Sequence, residues 1–193
     1  MAIVLGVDPG FAALGWALVR LEASGEEILQ LGVIRTAKST RKLHVLASSD
    51  DHRRGGELTQ ALAPLVRGVT AICAEAVSHP PHSSAAYKVG RSWGVLDCLA
   101  SLGCVPVVQV SPQQVKKRLG AAGLVTGGRR ADYAGQNASK AAVHAALARR
   151  FAELPQRLAG LPKGLQEHAL DALAVVVAAL DSEVIRMARK MPG

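Results

Sequence analysis

Three carboxylates in this chain stand where an ionised acid is expensive. Asp8 ends the apolar run Ile3-Val4-Leu5-Gly6-Val7, just before Pro9-Gly10. Glu75 ends a second such run, Ala71-Ile72-Cys73-Ala74. Asp171 interrupts the stretch Ala169-Leu170-Asp171-Ala172-Leu173-Ala174, and His168, three residues earlier, shares its helix face. A buried, ionised carboxylate requires a cation or hydrogen-bond donors to offset its lost hydration. If the two runs are neighbouring strands, Asp8 and Glu75 point toward one spot, and the helix brings Asp171 and His168 to the same edge. Converging carboxylates bind divalent cations, which in turn hold phosphate oxygens. Two such cations stabilise the attacking and leaving oxygens of an in-line phosphodiester displacement. Singly, each residue also has an ordinary reading: a turn at Asp8-Pro9-Gly10, an ion-pair partner at Glu75, a helix-surface pair at His168 and Asp171. The ordered set carries the argument.

The elements needed to position these groups can be read from periodicity. Short apolar runs at 3–8, 13–21 and 28–35, the first two joined through Pro9-Gly10 and the last two across Ser24-Gly25, predict an antiparallel meander. Residues 42–66 favour a helix through Leu43, Leu46, Leu58, Leu62 and Leu65, with a break expected in the polar stretch 48–56, which carries Gly55-Gly56. Residues 69–75 predict a buried strand, 85–102 a helix, and 105–110 a fifth strand. Ser111-Pro112 reads as an N-cap with proline at the first helical position, opening a helix to Leu119. A Gly-rich loop over 120–135, a helix over 139–151, a linker over 155–164 and one final helix over 166–189 complete the chain. This order predicts an α/β fold: a five-stranded mixed sheet flanked by helices, as a single domain over residues 1–193.

The chain has 193 residues, about half of them hydrophobic, so it can bury a sizeable core. Its formal net charge is +8, which favours a polyanionic partner. The basic residues cluster between Ser111 and Arg157: Lys116, Lys117, Arg118, Arg129, Arg130, Lys140, Arg149, Arg150 and Arg157, opposed by Asp132 and Glu153 alone. Such a stretch contacts phosphates without reading base sequence. The three cysteines, Cys73, Cys98 and Cys104, form no C-x-x-C pair and read as small core residues. With no signal peptide and no apolar run long enough to span a bilayer, a reducing cytoplasm is the expected location. His79 and His82 flank two prolines and lack a third ligand nearby, so they do not read as a metal site.

At this point a resemblance emerges. Gly6-Val7-Asp8-Pro9-Gly10 with Gly15-Trp16, Ala74-Glu75-Ala76-Val77, Tyr87-Lys88-Val89-Gly90 through Gly94-Val95, Gln114-Val115-Lys116, Ala138-Ser139-Lys140 and His168 through Ala174 resemble, in order, the blocks of RuvC-type Holliday-junction resolvases. The resemblance implies an RNase H-like fold and a homodimer. It also implies magnesium-dependent nicking of opposed strands of four-way junction DNA in recombination and repair, with a branch-migration helicase as partner. Carried over, the metal-binding acids are Asp8, Glu75 and Asp171, with His168 at a fourth position that family members fill with Asp or His. Because imidazole suits softer ions than magnesium, His168 also points to manganese or to positioning water or phosphate. Lys116 and Lys140 match basic residues facing DNA, with Lys117, Arg118, Arg129, Arg130, Arg91 and His79 as further DNA contacts.

The family's bulky aromatic after the second acid is missing; Val77-Ser78-His79-Pro80 stands there, and Trp93 replaces an arginine usual in the small-residue helix. These departures leave open another RNase H-like nuclease, cutting other branched DNA or RNA–DNA hybrids, or a non-cleaving junction-binding protein. An ATPase of the actin and sugar-kinase type shares the N-terminal hairpin, but its two lobes need a longer chain. The helix around Tyr87 to Leu99 is the expected dimer interface, with Trp93 as its anchor.

Overall fold

A computed structural model describes residues 1–40, 46–77, 82–121 and 133–190. Five strands form one sheet: β1 (Ala2–Asp8), β2 (Ala13–Leu21), β3 (Glu26–Arg35), β4 (Ala71–Glu75) and β5 (Val107–Val110). The spatial order is β3-β2-β1-β4-β5. The first three strands are an antiparallel meander, while β4 lies parallel to β1 and β5 parallel to β4. Short turns suffice for the meander, whereas each parallel step needs a helical crossover. The crossovers are α1 (Ala47–Val66) and α2 (Ser83–Leu102). Beyond β5 come α3 (Pro112–Arg118), α4 (Tyr133–Arg150), α5 (Leu154–Leu158), α6 (Lys163–Ala179) and α7 (Glu183–Lys190).

The pleat of the sheet separates two cores. In β1, Ala2 and Val4 face a core shared with α4, α6 and α7, while Leu5 and Val7 face one shared with α1 and α2. In β4, Ala71 and Cys73 belong to the first, Ile72 and Ala74 to the second. Side chains alternate along a strand. Asp8 therefore follows Val4 and Gly6 onto the α6 side, and Glu75 follows Cys73 to that same side. With both faces covered, β1 and β4 read as continuous apolar runs and not as alternating ones.

Helix α6 is the central element of that side, with Ala169, Leu170 and every residue from Ala172 to Val177 buried. It lies unusually close to the sheet. A Cβ on Gly6 would stand 2.3 Å from the Ala172 carbonyl oxygen, and one on Gly15 would stand 1.8 Å from the His168 carbonyl oxygen. Glycine at these two positions lets the helix backbone rest on the strands.

Several boundaries differ from the sequence expectation. Helix α1 is unbroken through Gly55-Gly56, because Leu58, Leu62 and Val66 fix one of its faces in the core. Strands β4 and β5 each begin two residues later than expected: Thr70 donates to the Ile3 carbonyl as a connector, and Pro106 supplies an acceptor but no donor. Helix α4 starts at Tyr133, inside the expected loop. The expected linker holds α5, with Pro155 in its first turn and Leu154 buried. The expected single last helix is two, because the Ser182 hydroxyl accepts from the Ile185 amide at 3.3 Å and starts a new one. Cys73 is buried as expected, but Cys98 and Cys104 are exposed. Trp93 is only 6% exposed and packs in the α1–α2 core, so it is not available as the dimer anchor. Among the described residues, no helix is long and apolar enough to cross a membrane.

Candidate active site

Strand β1 pairs with β4 in the register Val7 to Ala74, so the next step along both strands sets Asp8 beside Glu75. Helix α6, held down at Gly6 and Gly15, brings His168 and Asp171 over the same strand ends. His168 Nδ1 and Asp8 Oδ2 share a hydrogen bond at 2.9 Å. Together Asp8, Glu75, His168 and Asp171 line a cleft of about 440 Å³, with Glu167, Ser139, Lys140 and Lys116 on its walls.

The electrostatics are those of an acid cluster short of positive charge. Burial pushes the Asp8 carboxyl above its usual value, opposed by the His168 hydrogen bond and reinforced by the charge of Asp171. Burial likewise pushes Glu75 up to about 7, with the charges of Asp8 and Asp171 adding to the rise and Lys140 and Lys116 opposing it. The hydrogen bond to Asp8 raises the His168 imidazole, against the pull of burial. Acids raised by burial and mutual repulsion in one cleft fit a divalent cation, which would relieve both penalties. An oxygen-rich donor set with one imidazole suits magnesium or manganese. Among the described residues, no three His, Cys, Asp or Glu side chains are placed so as to hold a metal ion together.

Three groups in or beside the cleft were not singled out in the sequence: Glu167, Ser139 and His144. Glu167 hydrogen-bonds Lys140, and that bond holds its carboxyl below the usual range. Its only sequence signal is its place four residues before Asp171 on α6. Lys140 Nζ also lies 4.0 Å from Asp171 Oδ2, so this lysine sits among the acids. Burial acts to lower its ammonium, but the Glu167 hydrogen bond and the charges of Asp171, Glu167 and Asp8 raise it overall. His144 Nε2 lies 3.6 Å from Asp171 Oδ1, and the fully buried Ser139 hydroxyl lines the cleft. His144 and Ser139 were legible only as neighbours of Lys140 on one helix.

The other expected DNA contacts are placed variously. Lys116 lines the cleft and Lys117 is exposed beside it on α3. The Ser111–Gln114 capping box fixes the start of that helix. Arg118 pairs with Asp181 at 3.0 Å. Arg150 pairs with Glu26 at 2.6 Å, and Arg157 donates to the Leu29 carbonyl at 3.1 Å, both toward β3. Arg91 lies on α2, hydrogen-bonded to the Tyr87 hydroxyl at 2.9 Å, and is not part of the cleft. His79, Arg129 and Arg130 lie outside the described residues.

A five-stranded sheet in this order, with acids at the ends of its first and fourth strands and on a covering helix, defines an RNase H-like protein. The crossover junction endodeoxyribonuclease RuvC family model matches residues 4–179. The chain therefore belongs to the RuvC family of crossover junction endodeoxyribonucleases.

Curated relatives agree. The RuvC of Rubrobacter xylanophilus is 30% identical over 123 residues, 63% of this chain and 64% of that protein. The RuvC of Thermomicrobium roseum is 34% identical over 125 residues, 62% of this chain and 69% of that protein. The match thus spans about two thirds of these relatives' lengths. Among solved structures, T. thermophilus RuvC in complex with Holliday junction substrate superposes with a TM-score of 0.68 at 22% identity, covering 97% of each chain. The yeast mitochondrial Holliday junction resolvase superposes at 0.63 and 9% identity, over 96% of this chain and 81% of that one. At these identities the two structures speak to the fold.

Proposed function

We propose that the protein is a structure-selective endonuclease that resolves four-way DNA junctions by divalent-metal-dependent phosphodiester hydrolysis. The observation that carries this reading is the meeting of Asp8, Glu75 and Asp171 in one cleft with Lys116 and Lys140, in a member of this family.

Asp8, Glu75 and Asp171 are the residues that would hold the ions, magnesium first and manganese as the alternative. When bound, such ions supply a water of lowered pKa and neutralise charge on the leaving oxygen. The chain's own groups do the rest. His168 orients the Asp8 carboxylate through Nδ1, leaving its second nitrogen for water or phosphate. Lys140 ties α4 to Glu167 and Asp171 on α6 and keeps the charge of the acid cluster in check. Lys116 and Lys117 meet phosphates at the cleft mouth, with Arg118 alongside, since an exposed pair such as Arg118–Asp181 is weak enough to exchange.

A four-way junction has two-fold symmetry, and cutting two opposed strands calls for two such clefts related in the same way. A homodimer is the economical assembly. A branch-migration helicase would supply its junctions. Three free thiols agree with a cytoplasmic location.

The test uses purified protein with synthetic four-way junctions, linear duplex and RNA–DNA hybrids, with magnesium or manganese. The wild type should nick the junction in preference to the others. Asp8→Asn should bind the junction as well or better, having lost a negative charge beside phosphate, and should not cut it. Normal cleavage by Asp8→Asn, or a preference for hybrids or duplex, would overturn the proposal.

A further inference from the structure

Both oxygens of Asp171 are approached from α4. Lys140 Nζ lies 4.0 Å from Oδ2, and His144 Nε2 lies 3.6 Å from Oδ1. Four residues apart, Lys140 and His144 stack on one face of that helix. His144 is not part of the cleft lining, but its Nε2 faces Asp171 Oδ1. Its Nε2 is sealed from solvent and makes no hydrogen bond, although the rest of the side chain is partly exposed. A sealed ring nitrogen without a partner is costly, and the acceptor it faces is a carboxylate oxygen a few tenths of an ångström beyond hydrogen-bond range. In the opposite tautomer the Nε2 lone pair would confront that negative oxygen. The charge beside it therefore selects the Nε2–H form.

We infer that His144 is a positioning residue: its Nε2–H closes onto Asp171 Oδ1 and, opposite Lys140, fixes the orientation in which that carboxylate meets a divalent cation. Carboxylate ligands are commonly held in this way by groups that do not touch the metal. The inference rests on the proposed role of Asp171 as a cation ligand, but it assigns a role to a residue outside the proposed ligand set. The geometry also explains why α4 matters to a site built on β1, β4 and α6: two of its side chains each approach one oxygen of the α6 acid.

The experiment titrates manganese into the full-length, chelator-treated protein by calorimetry. Wild type, Asp171→Asn, His144→Ala and His144→Gln are compared, each checked for folding by circular dichroism. His144→Ala should weaken manganese binding by about tenfold. His144→Gln, whose side-chain amide keeps a donor, should recover most of that loss. If the wild type does not bind manganese, the proposed function itself fails. If Asp171→Asn weakens binding while His144→Ala binds like the wild type, the inference about His144 alone is overturned. Equal losses in His144→Ala and His144→Gln would also overturn it, since packing and not donation would then be at stake.

A second measurement does not depend on the variants of His144 folding. Long-range proton–nitrogen NMR of the wild type should show the His144 ring protonated at Nε2, with a resonance that moves in Asp171→Asn. A ring protonated at Nδ1 alone, or no movement, would refute the assignment.

Discussion

Replacing Gly15 by alanine tests how the site is assembled without touching any group that does chemistry. The added Cβ would stand 1.8 Å from the His168 carbonyl oxygen and 2.3 Å from its carbonyl carbon. Both are backbone atoms, so no side-chain rotation relieves the clash. Moving from 1.8 Å to the 3.0 Å below which Cβ atoms are essentially never found requires a retreat of about 1.2 Å by α6 or β2. His168 and Asp171 travel with α6, whereas Asp8 and Glu75 stay with the sheet. A misplacement of about 1 Å in a catalytic constellation costs on the order of 100-fold in rate. Overpacking of this kind also costs about 1–3 kcal/mol of stability, with Tm falling about 2–4 °C for each kcal/mol in a chain of this size.

Gly56→Ala is the control. It lies inside α1 with nothing within 4 Å of its added Cβ. This variant should be more stable by about 0.5–1 kcal/mol and cut at the wild-type rate. The assays are single-turnover cleavage of a four-way junction and thermal melting followed by circular dichroism. If folded Gly15→Ala cut junctions at the wild-type rate, the close seating of α6 on β2 would not be what places His168 and Asp171, and the reasoning would fail.

Three further outcomes follow from the charge distribution. With its folded-state value at about 7 against the usual 4.5, Glu75 is protonated in the native state and ionised in the unfolded chain between those limits, so its contribution to stability falls as pH rises from about 4.5 to about 7. In chelator, Glu75→Gln should therefore melt higher than wild type at pH 8, with the gain disappearing below pH 4.5; a gain that persisted in acid would contradict the assignment. Hydrogen bonds from Ser39, whose hydroxyl is 2.5 Å away, and then from Arg53 hold the Asp50 carboxyl down at about 2. Its stabilisation is complete above the ordinary value of 3.8 and lost as pH falls toward 2, so Ser39→Ala should raise the carboxyl's NMR titration midpoint and move acid unfolding to higher pH; an unmoved midpoint would show that the hydroxyl does not matter. Lys116→Ala should weaken junction binding in proportion across sequences and lower the slope of log affinity against log salt by about 0.9; an unchanged slope would remove Lys116 from the phosphate contacts.

The candidate acids and the fold class were legible in the linear chain. Apolar runs that stop at Asp8 and Glu75, and an acid inside an apolar helix at Asp171, are local patterns, and the cost of burying a carboxylate makes them conspicuous wherever the chain goes. The five strands and their neighbouring helices were likewise visible, because period and turn chemistry are short-range properties. Their ends were less so. The split of the last helix at Ser182 and the continuity of α1 through Gly55-Gly56 depend on which hydrogen bonds and core contacts outcompete local propensity.

Tertiary structure alone settled the meeting of the groups. A strand of apolar residues covered on both faces does not reveal which face its last residue takes. The β1–β4 register set Asp8 beside Glu75, and the glycine seats set the depth of α6. Trp93, which as a sequence residue suited a protein surface, went inside. Glu167, Ser139 and His144 belong to the site only because α4 and α6 pack side by side across a separation no periodicity can encode. Contacts between residues distant in the chain are fixed by the packing of whole elements, and single residues carry no record of that packing until the elements are docked.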